Sequence, residues 1–273
     1  MELQFTKMHG AGNDFVFLNC LKQKIDNLAS IAKKLCDRRF GIGADQLLTV
    51  HPSKVADFKM EIYNADGSQV EMCGNGIRCF AKYVYDHGIT KKRELEVETL
   101  AGIIRPRIVG ELVEVDMGEP ILEGRKIPVD ADGEIKNRPL IVGGETYEVT
   151  CVSMGNPHCV LYLHDIDSLD LEKIGPRFEH HAFFPKRVNT EFVKIISPGE
   201  VRMRVWERGA GETWACGTGA SSVGVAGVIT GRTDREIMIH LKGGDLLIEW
   251  RDNNRVYMTG GAEEVFSGTV KLR

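Results

Sequence analysis

The amino-acid sequence predicts an α+β fold of two pseudo-symmetric, duplicated domains, each a mostly antiparallel strand wrap around a central buried helix. One observation is a repeated turn: Cys73 stands in Met-Cys-Gly-Asn-Gly and Cys216 in Ala-Cys-Gly-Thr-Gly, 143 residues later. The other is that each turn is followed by a stretch that is apolar on nearly every side, as at Ala220–Ile229. A helix without a polar face must be buried, so short strands are expected to surround it.

The spacing of 143 residues recurs at other polar positions. It relates Asn13 to Asn156, Gln46 to Asn189, and Asn64 to Glu207. Four separated segments that keep one register are the mark of an internal repeat. The Pro- and Gly-rich stretch Gly118–Asn137 is the predicted linker, which gives a first repeat at 1–117 and a second from 118 onward.

The first repeat contains strand patterns that alternate with two helix patterns. A helix is expected from the N-cap signal Asp26-Asn27 to about Arg39, and a second over Ile77–Tyr85, closed by His87-Gly88. The predicted strands are Leu3–Met8, Asp14–Asn19, Gln46–Val50, Phe58–Tyr63 and three short ones between Leu95 and Asp116.

The second repeat follows the same plan. Helices are expected near Leu169–Phe178 and over Ala220–Ile229. The predicted strands are Glu148–Met154, Cys159–Leu163, Thr190–Ile196, Glu200–Trp206 and further strands out to Leu272. Because strands outnumber helices and do not strictly alternate with them, a doubly wound parallel sheet is not favoured.

Composition narrows the class of protein. Lys and Arg number 35 against 39 Asp and Glu, for a net charge of −4, and no basic stripe indicates nucleic-acid binding. The first residues lack the cationic and apolar regions of a signal peptide, and the longest apolar run, Val223–Ile229, is too short to cross a bilayer. With seven scattered cysteines, a cytoplasmic protein with reduced thiols is expected.

Each repeated cysteine is expected at the start of a buried helix. The free N–H groups and positive dipole end there favour a thiolate and also bind a carboxylate. Glycines beside the cysteines, such as Gly74 and Gly217, allow the backbone to approach a ligand closely. If the two domains face each other across a cleft, two thiols flank one carboxylate.

Such a pair suits proton transfer at the carbon next to a carboxylate. One thiolate removes the proton and the other thiol returns a proton to the opposite face, which inverts the stereocentre. His158 is a candidate for tuning a thiol, and the Glu207-Arg208 pair for holding an ammonium and a carboxylate. Inert core cysteines, a structural histidine and a surface ion pair are the alternative interpretations.

Other chemistries have weaker support in the sequence. Cys151, His158 and Cys159 lack the ligand spacing of a zinc site, so no metal is expected. The Gly-Thr-Gly turn lacks the lysine of a phosphate-binding loop and the third glycine of a dinucleotide fingerprint. Two thiols make pyridoxal phosphate redundant, so no cofactor is expected.

These motifs together resemble the diaminopimelate epimerase family. The resemblance rests on Lys7–Phe15 (KMHGAGNDF), Asn64–Ser68 (NADGS), Met72–Cys79 (MCGNGIRC), Gly155–His158 (GNPH) and Glu207–Gly219 (ERGAGETWACGTG), and it extends over nearly the whole chain. It implies a cofactor-independent enzyme that interconverts LL- and meso-2,6-diaminopimelate in lysine and peptidoglycan precursor synthesis.

The resemblance also implies roles for single residues. Cys73 and Cys216 would be the acid and base thiols, with His158 and Glu207 assisting them. The substrate pocket would comprise Asn13, Gln46, Asn64, Gly74, Asn75, Asn156, Asn189, Glu207, Arg208, Gly217 and Thr218, with Thr218 acting through its backbone N–H. The last strand, 263–273, would rejoin the first domain and leave 118–262 as the second. A homodimer is implied, with Phe266 in the contact.

Two alternatives stay open at this point. One is a proline or hydroxyproline racemase, similar in its fold and its two thiols, although such proteins have Cys-Gly-His-Gly where this chain has Asn75. They also lack the Glu207-Arg208 pair. The other is a non-catalytic amino-acid-binding or thiol-redox protein. Uptake of solvent deuterium into diaminopimelate would distinguish the epimerase from both.

Overall fold

A computed structural model describes residues 2–21 and 24–272; the outermost positions of the first predicted domain, 1 and 273, lie outside it. The described chain divides into two compact units. One runs up to Val115 and resumes at Gly260, and the other runs from Asp116 to Thr259. Each unit combines one large sheet with helices, which confirms the predicted α+β class.

The sheet of the first unit has the strand order β19-β1-β2-β3-β4-β6-β7, with β5 paired to β4. β2 and β3 are parallel, as are β4 and β6, whereas β1 is antiparallel to both of its neighbours. The strands are β1 (Glu2–Gly10), β2 (Asn13–Asn19), β3 (Gln46–His51), β4 (Phe58–Asn64), β5 (Gln69–Val70), β6 (Val97–Thr99), β7 (Gly102–Ile104) and, from the end of the chain, β19 (Glu263–Lys271). Two further strands, β8 (Pro106–Val109) and β9 (Leu112–Gly118), form an antiparallel hairpin.

The sheet of the second unit contains the order β10-β11-β12-β13-β14-β16-β17-β18, with β15 paired to β14. β12 and β13 are parallel, as are β14 and β16, and β11 is antiparallel to both of its neighbours. The strands are β10 (Arg138–Val142), β11 (Glu145–Ser153), β12 (Pro157–Tyr162), β13 (Asn189–Ser197), β14 (Glu200–Glu207), β15 (Gly211–Thr213), β16 (Glu236–Leu241), β17 (Gly244–Trp250) and β18 (Val256–Gly260).

The strands β2, β3 and β4 pair in the same register as β12, β13 and β14 of the second sheet. In the first unit Phe15 pairs with Gln46, and in the second His158 pairs with Asn189, each 143 positions later. The antiparallel pair Leu47 and Tyr63 likewise corresponds to the pair Thr190 and Trp206. In these strands the repeat seen in the sequence is therefore a repeat of backbone hydrogen bonding, and residues 143 apart occupy equivalent places there.

In the part of the chain that the structure describes, the strands are accompanied by four α-helices: α1 (Leu28–Leu35), α2 (Gly74–Asp86), α3 (Leu171–Glu179) and α4 (Gly217–Thr230). A short 3-10 turn, Gly124–Lys126, lies in the predicted linker. α2 packs against β1, β2 and β3, and α4 against β11, β12, β13 and β17. None of the helices in the described ranges is long and apolar enough to cross a membrane.

Helix α4 has no polar face because it is buried along most of its length. Its residues from Ala220 to Gly227 are all buried. A Cβ on Gly224 would lie 2.6 Å from Cγ2 of Ile248, so glycine lets strand β17 approach the helix axis closely. The predicted central buried helix is thus observed in the second unit.

The helix α1 ends at Leu35, four residues before the predicted end at Arg39. The carboxylate of Asp37 accepts the backbone N–H groups of Arg39 and Phe40, which takes these donors away from a continuing helix. Asn27 caps the start, as predicted, because its side chain accepts the N–H of Ser30.

Strand β10 was not predicted, and residues 95–118 contain four strands rather than three. Pro139 in β10 argues against a central strand, but β10 lies at the end of its sheet and pairs only with β11 in the order observed. Proline is tolerated at such an edge because one side of the strand needs no ladder donor.

Candidate active site

Cys73 is the N-cap residue of α2. Its Sγ accepts the backbone N–H of Gly76 at 3.4 Å, so the first turn of the helix directs a donor at the sulfur. Sγ also lies 3.5 Å from Oδ1 of Asn13, an atom to which a thiol can donate. The sulfur therefore has a donor for its thiolate form and an acceptor for its thiol form.

The amide groups around Cys73 are held in one orientation. Nδ2 of Asn13 donates to Asp45 at 2.8 Å, which leaves its Oδ1 toward Cys73 and Nδ2 of Asn75. Oδ1 of Asn75 in turn accepts from Arg78 at 3.0 Å. The structure thus brings Asn13, Asn75 and Cys73 together, three residues that the sequence assigned to the site.

A network of charges lies behind Asn13. Arg38 binds Asp14 through both oxygens, at 3.0 and 2.8 Å, and reaches Asp45 at 2.7 Å. Lys7 binds Asp14 at 2.6 Å. Burial alone would raise the pKa of Asp14, but the hydrogen bonds from Arg38 and Lys7 outweigh it and lower the pKa to about 2. These ions fix Asp45 and, through it, the orientation of Asn13.

Gln46 and Asn64 form a second polar pair in the first unit. Gln46 is the first residue of β3 and pairs with Asn64, the last residue of β4. Nε2 of Gln46 donates to Oδ1 of Asn64 at 2.9 Å. Nδ2 of Asn64 donates to Ser68. Oε1 of Gln46 is buried and has no hydrogen-bond partner within the described residues, so an acceptor is available there.

Cys216 is the N-cap residue of α4 and is buried. Its Sγ lies 3.5 Å from Oγ1 of Thr218, so the hydroxyl of Thr218 contacts the thiol. Burial raises the pKa of Cys216 well above the ordinary thiol value, and the nearby carboxylates of Glu207 and Glu191 raise it further. Burial and these two carboxylates therefore oppose the lowering of the Cys216 pKa that a helix terminus favours.

Glu191 is a residue of the site that the sequence reasoning missed. It lies in β13 with His158 beside it, both fully buried, and its Oε1 is 2.7 Å from Nδ1 of His158. The other ring nitrogen of His158 lies 2.9 Å from Oδ1 of Asn156. Burial raises the pKa of Glu191, and the facing histidine opposes that rise. An available signal was an acidic residue within the predicted strand Thr190–Ile196.

Asn189, Glu207 and Arg208 meet where β13 and β14 come together. Asn189 donates to the carbonyl of Pro157 and accepts the backbone N–H of Arg208, both at 2.9 Å. Glu207 accepts the hydroxyl of Thr213, and the Arg208 guanidinium donates to the carbonyl of Lys186 at 3.0 Å. The amide of Asn189 thus holds the loop that carries the Glu207-Arg208 pair.

The remaining predicted residues occupy two different settings. Gly74 and Gly217 are the first residues of α2 and α4, where backbone N–H groups have no partner within the helix. Phe266 lies on β19, about half exposed, with its ring edge-on to Phe5. Within the described ranges, no group of three or more His, Cys, Asp or Glu side chains is arranged to hold a metal ion.

Comparison with known proteins gives a consistent result. The sequence profile of diaminopimelate epimerase matches residues 5–123 and 150–265. A diaminopimelate epimerase of Acetivibrio thermocellus is 54% identical, covering 99% of this chain and 99% of its own. One from Moorella thermoacetica is 53% identical, over 99% of this chain and all of its own.

Solved structures agree on the fold at low sequence identity. A PhzF-family phenazine biosynthesis protein from Bacillus anthracis matches with a TM-score of 0.73 and 16% identity over the full length of both chains. A hydroxyproline epimerase from Agrobacterium vitis matches with a TM-score of 0.63 and 15% identity, covering 98% of this chain and 91% of its own. These likenesses concern the fold alone.

Proposed function

The chain belongs to the diaminopimelate epimerase family, and we propose that it interconverts LL- and meso-2,6-diaminopimelate by proton transfer at the α-carbon. One thiol takes the α-proton, and the other gives a proton to the opposite face of the carbon. The carbanion between these steps is stabilised by backbone N–H groups at the helix N-termini, which bind its carboxylate.

One observation supports this proposal above the others. Cys73 and Cys216 occupy the same place in two equivalent units, each as the N-cap of the buried helix. A reaction that inverts a stereocentre needs one proton carrier for each face, and a duplicated thiol supplies both. Because the thiols carry both proton transfers, the proposed chemistry calls for no cofactor.

The polar residues of each unit receive proposed binding roles. Amide groups of Asn13, Asn64, Asn156 and Asn189 would hold the reacting amino-acid end together with Gln46. Glu207 and Arg208 would take the distal ammonium and carboxylate, the latter through the planar fork of the guanidinium. His158 and Glu207 would set the protonation of the thiols. We further propose a cytoplasmic homodimer in which Phe266, half exposed on β19, lies in the contact.

Isotope exchange tests the proposal. The purified protein is incubated in D₂O with LL-diaminopimelate, and the products are separated by chiral chromatography and weighed by mass spectrometry. We expect meso-diaminopimelate that carries one deuterium at the inverted carbon. Parallel samples contain L-proline, trans-4-hydroxy-L-proline and L-lysine, and the Cys73→Ala, Cys216→Ala double variant serves as the inactive control.

Exchange into proline or hydroxyproline without exchange into diaminopimelate would indicate a racemase of cyclic amino acids instead. Exchange into none of the four would leave an amino-acid-binding or thiol-redox protein, and the proposal would fail.

A further inference from the structure

The two thiols stand on equivalent backbone but beside different buried residues. Leu48 in the first unit corresponds to Glu191 in the second, and Arg78 corresponds to Ser221, each 143 positions apart. All four side chains are fully buried. The first unit therefore buries a cation at a position where the second has a neutral hydroxyl. Conversely, the second unit buries the carboxylate of Glu191 where the first has the aliphatic side chain of Leu48.

Glu191 and Cys216 both lie close to Gly219. A Cβ on Gly219 would lie 2.7 Å from Oε1 of Glu191 and 3.3 Å from Sγ of Cys216, so the carboxylate oxygen is near the sulfur. The same Oε1 atom is held by His158 at 2.7 Å. The corresponding Cβ on Gly76 would meet Cδ2 of Leu48 at 3.2 Å, where no charge is present.

Arg78 lies one helical turn after Cys73 on α2. Its guanidinium donates to the carbonyls of Gly74 and Gly261, both at 3.3 Å, and to Oδ1 of Asn75 at 3.0 Å. Two of these acceptors belong to the residues that follow Cys73 directly. An arginine stays protonated even when buried, and its charge is felt strongly where water is excluded. Cys73 thus has a fixed positive charge behind the first turn of its helix.

We propose that Arg78 and Glu191 are positioning residues that decide which thiol carries the proton before substrate binds. Arg78 favours the thiolate at Cys73, and Glu191, together with Glu207, keeps the proton on Cys216. This inference rests on the proposed epimerase function only for its catalytic meaning, because the protonation of two thiols can be measured without substrate.

The arrangement gives the reaction a defined starting state. The Cys73 thiolate takes the α-proton as the C–H bond breaks and an S–H bond forms, while the Cys216 thiol gives its proton to the opposite face. After turnover Cys73 is the thiol and Cys216 the thiolate. Transfer of one proton through solvent water restores the starting state, so the free protein first accepts the isomer whose α-hydrogen faces Cys73.

Thiol alkylation as a function of pH is the test. The full-length protein without substrate is treated briefly with iodoacetamide from pH 5 to pH 10, and the peptides carrying Cys73 and Cys216 are quantified separately by mass spectrometry. The midpoint of each profile reports the thiolate fraction even where access slows the absolute rate. We expect Cys73 to reach half of its maximal rate at a lower pH than Cys216.

Two substitutions separate the charges. Glu191→Gln keeps the shape and a hydrogen-bonding group for His158, and it should move the Cys216 midpoint down by about one pH unit while leaving that of Cys73 in place. Arg78→Met should move the Cys73 midpoint up, and Arg78→Lys should restore part of the shift. Glu191→Leu, which copies Leu48, is the second variant if Glu191→Gln fails to fold.

Glu179→Gln is the matched control. Glu179 is a buried carboxylate of the second unit that binds Trp206 and the backbone N–H of Gly209, and it is not among the carboxylates that raise the pKa of Cys216. Its substitution should leave the Cys216 midpoint unchanged. A Cys216 midpoint at or below that of Cys73, or one that does not respond to Glu191→Gln and Glu191→Leu, would overturn the inference. Loss of isotope exchange with these midpoints intact would instead count against the proposed function.

Discussion

The two repeat units hold equivalent asparagines in different ways. In the first unit, Asn13 is oriented by Asp45 and the charges of Arg38, Asp14 and Lys7 behind it. In the second, Asn156 faces the ring of His158, whose other nitrogen faces Glu191. Strands β2, β3 and β4 keep the register of β12, β13 and β14, whereas the buried charges around each thiol differ between the units.

This difference is what an inversion catalyst needs. Two identical thiol sites would start with the same protonation state, and a proton transfer from one face to the other requires one thiolate and one thiol. A shared backbone places the sulfur atoms alike, and unlike buried charges make them chemically distinct. Substitutions in one unit with their counterparts in the other can break or sharpen the comparison.

Removal of either sulfur should have the largest effect. Cys73→Ala and Cys216→Ala are each expected to lower the rate of epimerisation by at least about 10²–10⁴-fold, because each substitution removes the proton carrier of one face of the α-carbon. Conversion of LL- to meso-diaminopimelate is the measurement, with Cys36→Ala and Cys79→Ala as controls that should stay near wild type. A Cys73→Ala protein within a few-fold of wild type would refute the two-thiol scheme.

Arg208 has Ala65 as its counterpart, so only the second unit carries the proposed distal grip. Arg208→Lys should raise the barrier for diaminopimelate by about 2–5 kcal/mol, because an ammonium cannot replace the two-pronged bond of the guanidinium. The measurement is kcat/KM for diaminopimelate and for lysine, with the surface substitution Arg202→Lys as control. Equal turnover of both substrates by the wild-type protein would show that Arg208 does not select diaminopimelate over lysine.

The charge network around Asp14 in the first unit should contribute to the free energy of unfolding. Because the pKa of Asp14 is lowered to about 2, its ionised form stabilises the folded state by about 2 kcal/mol at neutral pH. This contribution is complete above the unfolded pKa of about 3.9 and is lost as the pH falls toward 2. The difference in unfolding free energy between wild type and Asp14→Asn should therefore shrink on acidification.

Chemical denaturation at several pH values measures that difference. Asp167→Asn in the second unit is the control, because Asp167 pairs with Arg202 at an exposed position where an ion pair contributes little. A difference for Asp14→Asn that does not change between pH 7 and pH 3 would contradict the assignment.

The smallest expected effect is a difference in folding stability between alanine substitutions at the two equivalent glycines, Gly76 and Gly219. Alanine at either position gains about 1 kcal/mol of helix propensity. In Gly76→Ala the new methyl group meets Leu48 at 3.2 Å, which a small shift can relieve. In Gly219→Ala it meets the held carboxylate of Glu191 at 2.7 Å, so this variant should be less stable than Gly76→Ala by about 1–3 kcal/mol. Equal stabilities of the two variants in urea unfolding would show that Glu191 is free to move.

Much of the fold followed from local signals in the sequence. The alternation of strand residues, the N-cap at Asn27 and the apolar stretch of α4 fixed most elements, because each depends on neighbours in the chain. The C-terminal end of α1 and the strand β10 did not follow. The first depends on a side chain, Asp37, that competes for backbone donors, and the second on an edge position that only the complete sheet defines.

The sequence alone also identified the candidate site residues, since the repeat of 143 residues and the motifs around Cys73 and Cys216 are visible in it. It could not determine the state of those thiols. The raised pKa of Cys216 comes from burial and from Glu207 and Glu191, and Glu191 lies near the sulfur only because β13 packs against α4. Helix termini are local features that a sequence reveals, whereas desolvation and the charges of distant segments arise only when the chain is packed.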